Sequence, residues 1–227
     1  MKINEFPNYN NPTEDDILLI WDVATNSTKH VKLADLKNIF GSGSTTTPPA
    51  SNEVNLKYIS DGDTNGVFYY IGTNKLTQAW RNPHTDGLIE VKQSSAFNSS
   101  YQNPPFLTDR QNSDFFCTNN SANSWFSIDL KANKNLVLSA YSIQCRSFNA
   151  NHPRTWKLQG SNDENAWIDI NSQSSISLNS NQWFTQSIVN TPPAYRYFRI
   201  FFNGTSSSGD NVFCLGEMEL YGKLTYN

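Results

Sequence analysis

Residues 53–227 are predicted to form an antiparallel β-sandwich or barrel, on three observations. Apolar residues recur in short alternating runs, clusters of Asn, Ser, Gly and Pro separate those runs, and almost no stretch sustains a helical period. Runs of this length bury one face each and need a second layer to cover it.

The elements follow in chain order. Ile17 to Val23 is predicted as a strand, Ala24 to Thr28 as a turn and Lys29 to Leu33 as a returning strand. "LADLKNIF" then places Leu33, Leu36, Ile39 and Phe40 at helical spacing, and Gly41 stops the helix. Residues 42–52, "SGSTTTPPASN", have no apolar side chain larger than Ala50 and are stiffened by Pro48-Pro49, which makes them a linker. The chain thus divides into an N-terminal segment 1–41, the linker and a β-sandwich 53–227. A piece of about forty residues rarely closes a core alone, so the first segment should fold against copies of itself or dock on another protein.

Beyond the linker, predicted strands are "VFYYIG" (67–72), "LIEVK" (88–92), "WFSIDL" (125–130), "LVLSAYSIQC" (136–145) and "TWKLQG" (155–160). "AWIDI" (166–170), "WFTQSIV" (183–189), "YRYFRIFF" (195–202) and "EMELYG" (217–222) complete the set. In "YRYFRIFF", Phe198, Ile200 and Phe202 should face the core while Tyr197, Arg199 and Phe201 face away. In "TWKLQGSNDENAWIDI", Trp156 and Leu158 should face the core and Trp167 should cover it, with Trp125 buried likewise. Between the two strands "GSNDEN" is the turn, Gly160 supplies backbone freedom, and Asp163 and Glu164 face solvent.

Composition excludes several functions. Charged residues are 16% of the chain and the formal net charge is −3, so there is no basic field for a phosphate backbone and no nucleic-acid partner is expected. No run approaches the roughly 20 apolar residues that span a bilayer, and "MKINEFPNYNNPTEDD" lacks the apolar stretch of a signal peptide, so neither membrane insertion nor Sec export is expected. Cys117, Cys145 and Cys214 form no CxxC or Cys/His cluster, hence no zinc site. Three buried thiols are the expected state, with one pair and one free thiol as the alternative. The carboxylates are scattered, and His30, His84 and His152 have no adjacent nucleophile motif, so no enzyme is expected.

The order of motifs from Thr108 onward resembles the discoidin, or coagulation factor 5/8 type C, family. Its landmarks are Thr108-Asp109, the "W-x-x-x-D-L" strand Trp125 to Leu130, Tyr141-Ser142-Ile143, "WKLQGSND" followed by Trp167, "RYFRI" at 196–200 and the terminal "EMELYG". "NGVFYYIGTNKLTQAWRNP" (65–83) with "VKQSS" (91–95) resembles the subgroup of this fold found in eukaryotic BTB and HECT ubiquitin-ligase proteins. The resemblance implies a galactose-binding-like jelly roll. It implies a sugar-binding end built from loops, here Phe148, Asn149, Asn151, His152 and Arg154, with Tyr101 and Asp210 from neighbouring loops. For Arg154 a packing role is the competing reading, and for His152 both readings stand.

The same resemblance implies one structural Ca2+ on Asp109, Asn112, Asp114, Thr118 and Glu217, all hard oxygen donors. Metal-free capping of the loop is the alternative, because the family's "D-G" pair is Asp109-Arg110 here; a second departure, that no cysteine pair brackets the two ends of the domain, fits a protein assembled inside a cell. No other cofactor is implied.

Residues 12–40 resemble the N-terminal segment of bacteriophage tail-fibre and other virion-fibre proteins, in which an acidic "DD" precedes an apolar strand and a basic strand runs into "LADL". The two resemblances together imply a phage adhesin assembled in the host cytoplasm and carried on the virion. Its N-terminus would dock on other virion proteins, its sandwich would bind host-surface carbohydrate, and the assembly would be a homotrimer. A structural head or tail decoration protein and an intracellular protein-interaction module are the alternatives.

Overall fold

The computed structural model describes residues 17–22, 27–32, 52–98, 104–111 and 115–226, and the chain divides into two compact units, Met1–Ser51 and Asn52–Asn227. The predicted helix at 33–40 and most of the predicted linker lie outside the described residues, as do Tyr101, Asn112 and Asp114.

In the first unit β1 (Ile17–Asp22) and β2 (Ser27–Lys32) form an antiparallel hairpin whose register runs from Ile17 opposite Lys32 to Asp22 opposite Ser27. The predicted turn is therefore too long at its far end. Ser27 and Thr28 already pair with Asp22 and Trp21.

The second unit holds β3 (Glu53–Leu56), the short helix α1 (Val67–Gly72), β4 (Glu90–Gln93), a 3-10 turn (Pro104–Thr108), β5 (Phe116–Cys117) and β6 (Trp125–Asp129). Then come β7 (Lys134–Cys145), β8 (Trp156–Ser161), β9 (Ile168–Gln173), β10 (Trp183–Ser187), β11 (Tyr197–Phe202) and β12 (Cys214–Tyr226). One five-stranded sheet runs β10-β7-β12-β3 with β5 added to β12, and the other runs β4-β6-β11-β8-β9. Every pairing is antiparallel, as a jelly-roll sandwich requires.

The core lies between the sheets. β11 alternates as predicted: Phe198, Ile200 and Phe202 are fully buried while Tyr197, Arg199 and Phe201 are half-buried on the outer face. Phe202 stacks on Phe213 at 4.0 Å and meets Phe126 edge-on at 5.6 Å. Trp156 is fully buried, donates its indole N–H to the Tyr141 hydroxyl at 3.0 Å, and packs edge-on against Phe184 at 5.0 Å. Large aromatic area with its polar atom satisfied is what an interior position asks of tryptophan.

Several expectations are corrected. "VFYYIG" is the helix α1. Its buried residues Val67, Phe68, Tyr70 and Ile71 fit one helical face, but a run of six apolar residues carries too little period to separate helix from strand. The deciding contact is remote: the Glu219 carboxylate, on β12, accepts the N–H groups of Phe68 (2.8 Å) and Tyr69 (3.3 Å) that a helix start leaves without partners. A Cβ on Gly66, just ahead of the helix, would lie 2.0 Å from that carboxyl carbon, so glycine is what lets Glu219 reach the helix.

Trp125 and Trp167 are half-exposed, so neither is core. The register explains Trp125: it pairs with Phe201, two residues from the outward pair Ser127 and Arg199, while Phe126 and Ile128 point inward. Trp167 lies on the same outer face, with the Arg199 guanidinium 4.2 Å from its ring centre. Gly160 also differs in role. It sits inside β8, where a Cβ would meet the Tyr195 ring at 2.3 Å, so close ring packing and not turn geometry demands it. Asp163 does hold the turn, accepting the N–H groups of Asn165 (2.9 Å) and Ala166 (2.8 Å). Glu164 pairs with Lys92 at 2.7 Å.

The three-thiol expectation is overturned. Cys117 and Cys214 face each other in the β5–β12 ladder, their Cα atoms 4.2 Å apart, and form a disulfide. Cys145 remains a buried thiol, pushed up to about 12 by burial. A separation of 97 residues hides such a pair in sequence, because sandwich strands pair across long distances along the chain.

Candidate functional site

At one end of the sandwich the chain leaving β7 packs against the loop between β11 and β12. Asn151 is the link. Its backbone takes the left-handed conformation (φ 59°) that asparagine tolerates, and its side-chain amide donates to both oxygens of Asp210 at 3.2 Å. Backbone N–H groups of Asn151 and His152 donate to the hydroxyls of Ser208 and Ser207, each at 3.0 Å. Ser206 donates to Asp210 at 2.6 Å. Polar groups that a loose loop would leave to water are thus spent on joining two loops into one rigid rim.

On that rim Phe148 is 59% exposed. It is held from below: the Arg146 guanidinium lies 5.1 Å from its ring and 4.2 Å from the Phe115 ring, and Phe115 meets Phe148 edge-on at 5.7 Å. Arg146 also donates to the Asn151 side-chain oxygen (3.3 Å) and to the Cys214 sulfur (3.2 Å), so the disulfide anchors the rim. Asn149 is exposed beside Phe148 in the chain.

The structure therefore brings Phe148, Asn149, Asn151 and Asp210 together. His152 is in the same loop but buried, with both ring nitrogens facing backbone carbonyls, Leu178 O at 2.8 Å and Phe148 O at 2.7 Å. It pins the loop from inside. Arg154 is exposed, and its side chain takes no part in the lacing among the described residues. Arg146 and Phe115 escaped the sequence reading because each looks like a strand-end residue until the two loops meet.

The carboxyl groups of Asp109 and Glu217 are both buried, and the Gln111 N–H donates to both, at 2.9 and 2.8 Å. Burial, and then the hydrogen bond and charge of Asp109, push Glu217 up to about 10. The pair therefore shares a proton at neutral pH. Arg110 takes φ 63°, the left-handed turn that the family's glycine would make. Its side chain donates to Gly62 O at 2.8 Å and lies over Tyr69. Thr118 is buried, its hydroxyl accepting the Phe213 N–H at 3.2 Å. Among the described residues no group of three His, Cys, Asp or Glu converges. Two buried carboxyls with hard oxygens fit a cation in place of their shared proton, and Asp109 and Glu217 would be its charged ligands.

Beyond Glu217 a cavity of about 290 Å3 opens between β12 and the 61–80 segment, lined by Tyr69, Trp80, Arg110, Trp183 and Glu219 among others. Glu219 is buried and held up at about 7 by that burial, although three backbone N–H groups pull the other way.

A model of the F5/8 type C domain matches residues 90–216, more than half of the chain. This chain belongs to the F5/8 type C family. Among curated relatives, the Caenorhabditis elegans E3 ubiquitin-protein ligase hecd-1 is 31% identical over 181 residues, which is 75% of this chain and 7% of that protein. The Drosophila melanogaster E3 ubiquitin-protein ligase Ufd4 is 29% identical over 172 residues, 72% of this chain and 6% of that protein. A BTB/POZ domain-containing protein of Arabidopsis thaliana is 28% identical over 178 residues, 74% of this chain and 22% of that protein. The chain thus spans a small part of each. These matches are longer than the 90–216 domain, so they take in flanking sequence as well.

Among solved structures, the CpGH89CBM32-5 module of Clostridium perfringens, in complex with GalNAc-β-1,3-galactose, aligns with a TM-score of 0.50 at 12% identity, covering 60% of this chain and 96% of that one. A fucolectin from Morone saxatilis serum aligns with a TM-score of 0.50 at 20% identity, over 60% of this chain and 47% of that one. At such identities the likeness establishes the galactose-binding-like fold.

Proposed function

We propose that this F5/8 type C domain binds a saccharide at the rim around Phe148, and that residues 1–41 carry it on a phage virion as a host-recognition fibre. The observation that carries the first part is the exposed Phe148 ring, braced by Arg146 and Phe115 and flanked by amide and carboxylate groups held in one network. An apolar ring face with fixed polar groups beside it is what a pyranose needs. The galactose-type disaccharide bound to the structurally similar Clostridium module lends support. The second part rests on the "DD", strand, "LADL" pattern of residues 12–40. Trimeric display would turn weak single sites into avidity. Residues 1–41 would dock on other virion proteins, and the domain would act by binding and not by turnover.

Phe148→Ala in the full chain should weaken binding to the recognised glycan about ten-fold or more, read on a panel of host-surface glycans. Equal binding by the variant removes the rim from the account. If no surface glycan binds but the N-terminal segment captures a virion protein, a structural decoration role replaces the adhesin. A second reading, a protein-interaction module, is favoured by identity to the ubiquitin ligases that runs past the domain itself. Capture of a protein partner by residues 52–227 without any glycan would select it.

A further inference from the structure

The outer face of the β4-β6-β11-β8-β9 sheet carries an open depression of about 310 Å3, remote in sequence from the Phe148 rim and lined by Trp125, Ser127, Trp167, Arg199 and the turn residues Asp163 to Asn165. Its walls are fixed. Trp167 donates its indole N–H to Glu164 O at 3.1 Å, and the Arg199 guanidinium lies 4.2 Å from the Trp167 ring centre and 5.0 Å from that of Phe201. Arg199 Nε donates to the Gln159 side-chain oxygen at 2.6 Å, which sets the plane of the guanidinium. Lys92 neutralises Glu164.

What is left over is donor-rich. Among the described residues no hydrogen bond or ion pair occupies the two terminal nitrogens of Arg199, the Ser127 hydroxyl or the Trp125 indole N–H. Burial pulls Arg199 below the ordinary arginine value, and the charge of Asp169, which Gln159 bridges to Arg199, offsets only part of that cost. An acid group on its free edge would form the bidentate pair that guanidinium geometry favours.

We propose that this sheet face is a second saccharide site, specific for a pyranose bearing a carboxylate, with the sugar ring against Trp125 and Trp167 and the acid on Arg199. The volume suits a single ring; Lys92 neutralises Glu164, and the Asp163 carboxylate on the rim is taken up by the N–H groups of Asn165 and Ala166, so the free edge of Arg199 is the cationic group that faces the ligand. It is independent of the Phe148 rim.

The test is a titration of the full chain with D-glucuronic acid, and separately with D-glucose, followed by the indole N–H signals of its six tryptophans. Glucuronate should shift the Trp125 signal, with affinity about ten-fold weaker for glucose and for Arg199→Gln, and unchanged in Phe148→Ala. Arg199→Lys, which keeps the charge but not the fork, should also bind more weakly. An unmoved Trp125 signal, equal binding of glucose, equal binding by Arg199→Gln, or loss in Phe148→Ala would each overturn the proposal.

Discussion

Replacing Cys117 and Cys214 together by alanine is expected to destabilise the β-sandwich by about 4 kcal/mol. The disulfide closes a loop between residues 97 apart, and the chain-entropy estimate for a loop near this length is roughly 4–5 kcal/mol. Against a domain stability of about 5–15 kcal/mol this is a large fraction. The thermal midpoint should fall by roughly 10 °C for a domain of this size. The same loss should appear when the wild type is unfolded in reductant. The effect should reach the rim too, because Arg146 loses the sulfur it donates to while it holds Phe148 and Asn151. Calorimetry on the double variant is the check, and a midpoint within a degree of wild type would contradict it.

Stability should also fall as pH rises above the ordinary carboxylate range. Glu217 is held up at about 10 and Glu219 at about 7 in the folded chain, both chiefly by burial, against ordinary values of 4.5. The folded state therefore keeps protons that the unfolded state gives up, and stability drops wherever that difference exists. Glu219 contributes the loss between pH 4.5 and about 7, on the order of 3 kcal/mol from its shift alone. Glu217 extends the decline up to about pH 10.

Asp63, Asp129 and Asp169 are held below the usual carboxylate range, so their contributions are lost only on acidification and do not mask this trend. Glu217→Gln, whose amide can donate to Asp109 where the acid proton did, should flatten the alkaline part of the curve. Calcium should raise the wild-type midpoint more at pH 8 than at pH 5, because the cation competes with that proton, and should leave Glu217→Gln unmoved. Urea unfolding across this range checks both, and a wild-type curve flat from pH 5 to pH 9 would refute the shared-proton account.

Both effects were hidden from sequence for the same reason. Local alternation displays whatever a strand decides alone: the inward Phe198, Ile200 and Phe202, the buried Trp156 and the turn held by Asp163 were all legible. Partners far along the chain decide the rest. α1 is helical because Glu219, about 150 residues on, takes its first N–H groups, and Cys117 meets Cys214 only after β5 joins β12.

Trp125 and Trp167 show a different limit. Aromatic residues in strands suggest a core, but parity fixes only that Trp125 and Phe126 oppose each other, and the register with β11 decides which of them is outside. At the candidate site the loop residues Phe148, Asn149, Asn151 and Asp210 were legible through family resemblance. Arg146, which organises them, was not, because its role exists only where two loops and the disulfide converge.

The Phe148 rim is proposed as the saccharide-binding end of this F5/8 type C domain. Backbone amide shift mapping of the full chain with a galactose-terminated disaccharide tests it most directly. The shifts are expected to concentrate at residues 147–151 and 206–210 and to be lost in Phe148→Ala. Shifts confined to the cavity beside Trp80 and Trp183, or none anywhere in the domain, would contradict it.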